Sequence, residues 1–312
     1  MRRMSNGLLG GIPVVLGVTF VIFLVLDLAP GDPAAIVAGE NASAAQIEQV
    51  RDSLGLDRPL IVRYAVWLAG AAQGNLGDSS ATGQPVSDLI GDRLGVTLSL
   101  VTLAMLGALV FALVLGPLAA IRPRGVVDRI LTVFAAITMS LPSFWVGMIL
   151  VVFLGARNHW FPVLGYSPLS DGVGAWANHL VLPAVSLGLF VFADLVLQVR
   201  ASMIGVLGAE YITTAYARGL STKRIVIKHA LKNACIPLVT VFGFRFASIL
   251  GGTVAIEVVF NLPGLGSLAV NAAFGRDFNV LLGIVAVTAV LVVLINLVVD
   301  ASYGYFNPRS RA

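Results

Sequence analysis

The residues of this chain best placed to do chemistry are five ionisable groups in or at the edges of long apolar runs: Asp27, Asp194, Arg245, Glu257 and Asp300. A charge at membrane depth is costly, and one that is kept faces protein or a water-filled cavity. Asp27, Glu257 and Asp300 stand near the ends of their runs, where a carboxylate costs little, which favours a structural placement. Asp194 and Arg245 lie deeper, and two readings stay open for them: a structural pair, or the lining of a polar path. Ser140, Ser143 and Glu257 complete the set of candidate path residues. Enzyme signatures are missing. There is no G-x-x-x-x-G-K-[ST] phosphate cradle, no H-E-x-x-H and no G-x-S-x-G. His159, His179 and His229 have no second ligand nearby in sequence, so no metal site is expected. A single cysteine, Cys235, excludes an internal disulfide and a cysteine metal cluster. The expectation is a chain with no catalytic residues and no cofactor of its own.

Composition says what must hold these residues. Of 312 residues 58% are hydrophobic and 12% charged, and the mean hydropathy is +0.93. A soluble domain carries about 25% charge, so this chain cannot cover itself with polar surface and belongs in a bilayer. Its net charge of +4 is a membrane-orientation signal. The basic residues sit in loops without an aromatic platform, so nucleic acid is not an expected partner.

Six runs are long enough to cross roughly 30 Å of hydrocarbon: 8–28, 95–121, 130–155, 179–204, 234–258 and 280–306. The first exceeds the 7–15 residues of a signal-peptide core and leads into a poor cleavage context, so it reads as a retained span. Pro117, Pro142, Pro183 and Pro237 mark expected kinks. Between the first two runs, residues 29–94 are more polar and predict two amphipathic helices. Ser43 caps one, with Ile47, Val50 and Leu54 on one face and Gly55 closing it. Pro59 at the first helical position opens the other, with Leu60, Tyr64, Trp67, Leu68 and Ala71 on its buried side. Tyr64 and Trp67 suit a membrane interface. If the N-terminus is inside, inside segments carry 13 of the 20 Lys and Arg residues, outside segments six, and Arg245 lies within a run. That bias puts both termini and residues 205–233 in the cytoplasm.

The most basic stretch, Glu210 to Pro237, reads as two short helices broken at Gly219, a residue suited to the left-handed position that ends a helix. Ser221 is the expected N-cap of the second, whose Arg224, Lys228 and Lys232 share a face. Either this is an ordinary basic loop, or it presents a helix–Gly–helix to a partner. In the fifth run Gly243, Ala247, Gly251 and Ala255 recur at spacing four, which lets helix backbones approach closely. They serve internal packing or a seam with a second membrane subunit.

Seven motifs in order resemble the ABC-transporter permeases of the dipeptide/oligopeptide/nickel import group, in the subunit type with a long outer segment after the first span. They are Leu28-Ala-Pro-Gly-Asp-Pro33, Leu54-Gly-Leu-Asp-Arg-Pro59, Gly74-Asn-Leu-Gly77, Gly83-Gln-Pro-Val86, Ser140-Leu-Pro-Ser-Phe-Trp145, Leu182-Pro183, and Phe260-Asn-Leu-Pro-Gly-Leu-Gly266 with Arg276-Asp277. The tail, Asn296 to Arg309, resembles the family ending but has Asn307 where an Asp-Pro pair is usual. The resemblance implies an all-α integral membrane protein: six transmembrane helices in the type I ABC importer permease fold, with outer amphipathic helices between spans 1 and 2. Thr213-Thr-Ala215 with Gly219 stands at the place of that family's E-A-A-x-x-x-G pattern, so residues 205–233 become the cytoplasmic coupling loop. The implied ATPase contacts are Glu210, Tyr211, Thr214, Ala215, Ala217, Arg218, Gly219 and Leu220. Gly243, Ala247 and Gly251 become the implied permease–permease seam.

The implied partners are a second homologous permease, ATPase subunits carrying two nucleotide-binding domains with their ATP and Mg, an extracytoplasmic substrate-binding protein and the lipid bilayer. The implied location is the bacterial cytoplasmic membrane, and the implied cargo short peptides, with nickel or haem as alternatives. The rival class is a proton-coupled carrier using Asp194 as relay.

Overall fold

The computed structural model describes residues 2–28, 32–39 and 42–306. Residues 29–31 of the first motif and the tail beyond 306 lie outside the described residues, as does the side chain of Asp300. The elements are α1 (Arg2–Asp27), α2 (Pro33–Ala38), α3 (Ala44–Leu54), α4 (Leu60–Ala71), α5 (Val86–Ile121), α6 (Val126–Ser140), α7 (Ser143–Leu150), α8 (Val173–Leu207), α9 (Glu210–Ala217), α10 (Thr222–Arg224), α11 (Leu231–Val259), α12 (Leu265–Phe274) and α13 (Phe278–Phe306). Among the described residues no strand forms, and one isolated bridge joins Asp78 to Pro85. The chain divides into two compact units, Met1–Val96 with Gly264–Leu294 and Thr97–Pro263 with Ile295–Ala312.

In the first unit, α3 begins with a capping box. Ser43 Oγ accepts from Gln46 N–H and Gln46 Oε1 accepts from Ser43 N–H at 2.8 Å. Gly55 ends this helix at φ +61. Pro59 stands one position before α4, as its N-cap, and not at the first helical position as expected. Leu60, Tyr64, Trp67, Leu68 and Ala71 form the half-buried side of α4. That side meets α1: the Tyr64 hydroxyl donates to the Leu16 carbonyl at 3.0 Å, and its ring stands edge-on to Phe20 and Phe23. A second cluster joins Val86 and Ile90 of α5 to Leu265, Leu268 and Ala272 of α12 and Val280 and Ile284 of α13. Asp277 holds this corner. One carboxylate oxygen accepts from Val280 N–H at the start of α13, the other from the Ser79 hydroxyl.

The second unit is built on α8. Two thirds of its apolar window is buried, against a third or less of the windows in the other long helices. Its partners are α6, α7 and α11. Close approach is local: a Cβ at Gly188 would stand 2.9 Å from the Ala104 carbonyl oxygen of α5.

Among the described residues five helices are long and apolar enough to cross a membrane, and the stretch expected as a third span, 130–155, brings the number to six only if a bent pair counts as one. Here the chain bends by 104° between Val126–Ser140 and Ser143–Arg157. Pro142 disfavours the helical conformation at the residue before it, and Leu141 is extended, at φ −99 and ψ 136. The chain then restarts as α7 and ends in a π-helical turn, Val151–Arg157. The sequence suggested a kink; the structure has a break.

At one end of α6 an ion pair locks it to α8. Arg200 grips Asp128 with Nε on one carboxylate oxygen and Nη2 on the other at 2.8 Å, and Arg124 N–H donates to the same carboxylate at 2.7 Å. The Asp128 side chain is buried and that of Arg200 a quarter exposed. Removing one partner of a fully buried pair costs about 3–5 kcal/mol. The exposure of Arg200 lowers the expected cost of Asp128→Ala to about 2 kcal/mol, read as a lower unfolding midpoint of the purified chain in detergent. An unchanged midpoint would show that the clamp does not hold the bundle.

Candidate functional site

Two features of the second unit are built from the residues singled out in the sequence. The first is α9. Eight residues are too few for a helix to persist alone in water, so its order comes from packing and capping. Ile212 and Ala215 turn inward against Ile225, with Leu207 and Leu220 closing the cluster. The C-terminus is tied off by Gly219 at φ +79, its N–H donating to the Tyr216 carbonyl at 2.9 Å, and by Leu220 N–H donating to the Ala215 carbonyl at 3.3 Å. That is the paired hydrogen-bond pattern of a Schellman cap, with its hydrophobic contact supplied by Leu220.

This packing sorts the expected contact residues. Glu210, Tyr211, Thr214, Ala217, Arg218 and Gly219 are exposed. Ala215 and Leu220 are not available in the same way: Ala215 is buried and Leu220 half-buried, both in the helix's own core. That corrects their placement on the outer face, because an inward alanine lets α9 sit close to Ile225. Tyr216 is also exposed on this helix. Ser221 makes no side-chain cap, and the second helix begins as α10 and a π turn, Ile225–Ala230, before α11. Arg224, Lys228 and Lys232 are exposed, opposite buried Ile225, Val226, Ala230 and Ala234. Asn233 on α11 donates to the Tyr211 hydroxyl at 3.0 Å, a second tie between α9 and α11.

The second feature is a cleft of about 410 Å³ at the α6–α7 break. Ser140 and Ser143 line it from the break, and Arg245 and Ser248 from α11. Arg245 Nε donates to Asp194 on α8 at 2.7 Å, and its guanidinium lies 5.2 Å from the ring centre of Phe190. Four of the five expected path residues therefore meet: three on the cleft wall and Asp194 behind Arg245. The fifth, Glu257, stands apart. It is fully buried and accepts from the Thr97 hydroxyl at 2.7 Å.

The small-residue stripe of α11 splits. A Cβ at Gly243 would fall 2.2 Å from Val299 of α13, so Gly243 serves packing within the chain and not the expected seam. Gly251 has open space around its missing side chain, and Ala247 is half-buried.

Helices of membrane length fit a multi-pass membrane protein, and comparison with known proteins gives its class. The family described as "Binding-protein-dependent transport system inner membrane component" matches residues 95–312, and its N-terminal companion matches residues 1–101. This chain belongs to that family. It is 42% identical over 304 residues, 97% of each chain, to the probable peptide ABC transporter permease protein y4tP of Sinorhizobium fredii. It is 38% identical to the oligopeptide transport system permease protein AppB of Bacillus subtilis, over 96% of this chain and 95% of that one. It is also 38% identical to the glutathione transport system permease protein GsiC of Escherichia coli, over 97% of each. The fold is that of the permease in an inward-facing MetNI methionine ABC transporter, at a TM-score of 0.58 and 18% identity, covering 70% of this chain and 96% of that one. The chain is thus a membrane permease with the type I ABC importer permease fold.

The two glycines separate by substitution. Gly243→Val should destabilise by about 1–3 kcal/mol through overpacking, whereas Gly251→Ala should leave the unfolding midpoint of the isolated chain within about 0.5 kcal/mol of wild type. Equal effects would contradict the packing described.

Proposed function

We propose that this chain is the membrane-spanning subunit of an ATP-driven importer of short peptides. The carrying observation is one continuous mechanical connection: α9 is fixed by its core and cap to the π turn, and the turn runs into α11, which bears Arg245 on the cleft. In this reading the exposed face of α9 docks a partner ATPase, with Tyr211, Thr214, Tyr216 and Arg218 in the contact. ATP and Mg are held by that partner. Closure of the ATPases moves α9, and α11 carries the motion to the cleft. Nucleotide and cargo act through their differential affinity for the inward and outward states. A second permease completes the path, with Gly251 and Ala247 offering a close-packed seam.

The names of the relatives, which specify peptides, oligopeptides and glutathione, support a peptide cargo. Nickel or haem is the alternative within the same machinery. A proton-coupled carrier needs a carboxylate free to exchange protons, and the Asp194–Arg245 pair speaks against that role. The Lys and Arg distribution supports cytoplasmic termini and a cytoplasmic α9, which leaves α3 and α4 on the outer side, where a substrate-binding protein delivers cargo.

Gly219→Pro tests the connection. Proline fixes φ near −65°, far from the +79 of Gly219, so the cap is lost while the spans are untouched. The variant should reach the membrane at wild-type levels, yet labelled-dipeptide uptake should fall at least tenfold when it is produced with the second permease, ATPases and binding protein. Wild-type uptake would refute the coupling assignment. No ATP-dependent dipeptide uptake by the wild-type assembly would refute the peptide reading.

A further inference from the structure

We propose that the first unit holds a site for the headgroup of an anionic phospholipid, in a cleft of about 280 Å³ between the end of α1, α4 and the start of α13. This site is separate from the transport cleft and independent of which cargo is carried.

Charge is the first observation. Three arginines, Arg58, Arg63 and Arg276, line the cleft against one carboxylate, Asp27. Arg63 and Asp27 neutralise each other at 2.6 Å. The salt bridges among the described residues leave Arg58 and Arg276 without a carboxylate, and both are exposed. The cleft therefore presents two uncompensated guanidinium groups, the side chain best matched to phosphate oxygens.

An orphaned donor is the second. Trp67 is a lining residue, and its indole N–H is the one buried side-chain polar atom that finds no hydrogen-bond partner among the described residues. A buried donor without an acceptor has lost its water and gained nothing. An acceptor oxygen bound in this cleft would restore the balance once the indole ring shifts to admit it.

Position identifies the occupant. The apolar window of α1, Gly10–Asp27, is 18 residues, or about 27 Å of helix, close to the thickness of the hydrocarbon layer. Ile12, Val14, Val18, Val21 and Val25 along it are exposed, as side chains facing lipid are. The cleft opens at the Asp27 end, the level of the headgroups. Phe23 and Phe278 add apolar surface to the lining, and the Arg63 guanidinium lies 5.7 Å from the ring centre of Phe23. Apolar lining together with two free guanidinium groups suits an amphiphile with an anionic head better than a free anion, which has no use for the phenyl rings. A zwitterionic headgroup brings its own ammonium and gains less from the two arginines.

Quenching of Trp67 by brominated lipid tests this. In the full-length chain with Trp145→Phe, Trp160→Phe and Trp176→Phe, reconstituted into mixed bilayers, Trp67 is the remaining indole. Dibromo-phosphatidylglycerol should half-quench it at roughly a tenfold lower mole fraction than dibromo-phosphatidylcholine. Arg58→Gln with Arg276→Gln should abolish that preference, and Arg58→Lys with Arg276→Lys should keep most of it, which separates lost charge from lost fold. Equal quenching by the two lipids, or a preference that survives the glutamine pair, overturns the site. Displacement of the lipid by millimolar glycerol phosphate would overturn it too, by showing a pocket for a soluble anion.

Discussion

The proposed coupling depends on a small contact, Ile212 and Ala215 of α9 against Ile225, closed by the Gly219 cap. An eight-residue helix has too few internal hydrogen bonds to offset the cost of its nucleus. It persists because one face is removed from water and two of the carbonyls at its end, of Ala215 and Tyr216, are satisfied by the cap. The consequence is mechanical. A helix held on two sides transmits displacement, whereas a basic loop of the same composition would absorb it. The Asn233–Tyr211 hydrogen bond adds a tie to α11.

The cleft has a comparable local origin. Breaking a helix at membrane depth frees backbone groups that lipid cannot satisfy, so such a break is tolerated only where it is buried in protein or lines a polar cavity. Pro142 stands at the break, Ser140 and Ser143 flank it with hydroxyls, and Arg245 faces it from α11. Ser140 satisfies its own hydroxyl on the Ala136 carbonyl at 2.9 Å. The Asp194 pair lowers the cost of holding Arg245 there and fixes its direction.

Local chemistry was legible in the sequence wherever one residue decides the outcome. Ser43 with Gln46 makes a cap, Gly55 and Gly219 adopt left-handed conformations, and the half-buried side of α4 follows from its spacing. The runs of membrane length follow from hydropathy. The break at Leu141–Pro142 was underestimated because proline in an apolar run commonly gives a shallow kink, and only the packing of α7 against α8 selects 104°. Helix α12 was hidden inside a loop motif, since its burial depends on Val86, Ile90 and Val280, which are far away in sequence. Ala215 and Ala217 look alike in a pattern, and their opposite exposure is set by Ile225 in the next helix. Asp128 gave no signal beyond being an acid among arginines; its role appears only when Arg200, 72 residues away, reaches it.

The central claim is that α9 meets an ATPase with one face while the other stays on its own core. Single photo-crosslinking residues placed along positions 210–220 of the assembled transporter test it most directly. The account predicts crosslinks to the ATPase from Tyr211, Thr214 and Arg218 and none above background from Ile212 or Ala215. Uniform crosslinking across both faces, or none from the exposed one, would contradict it.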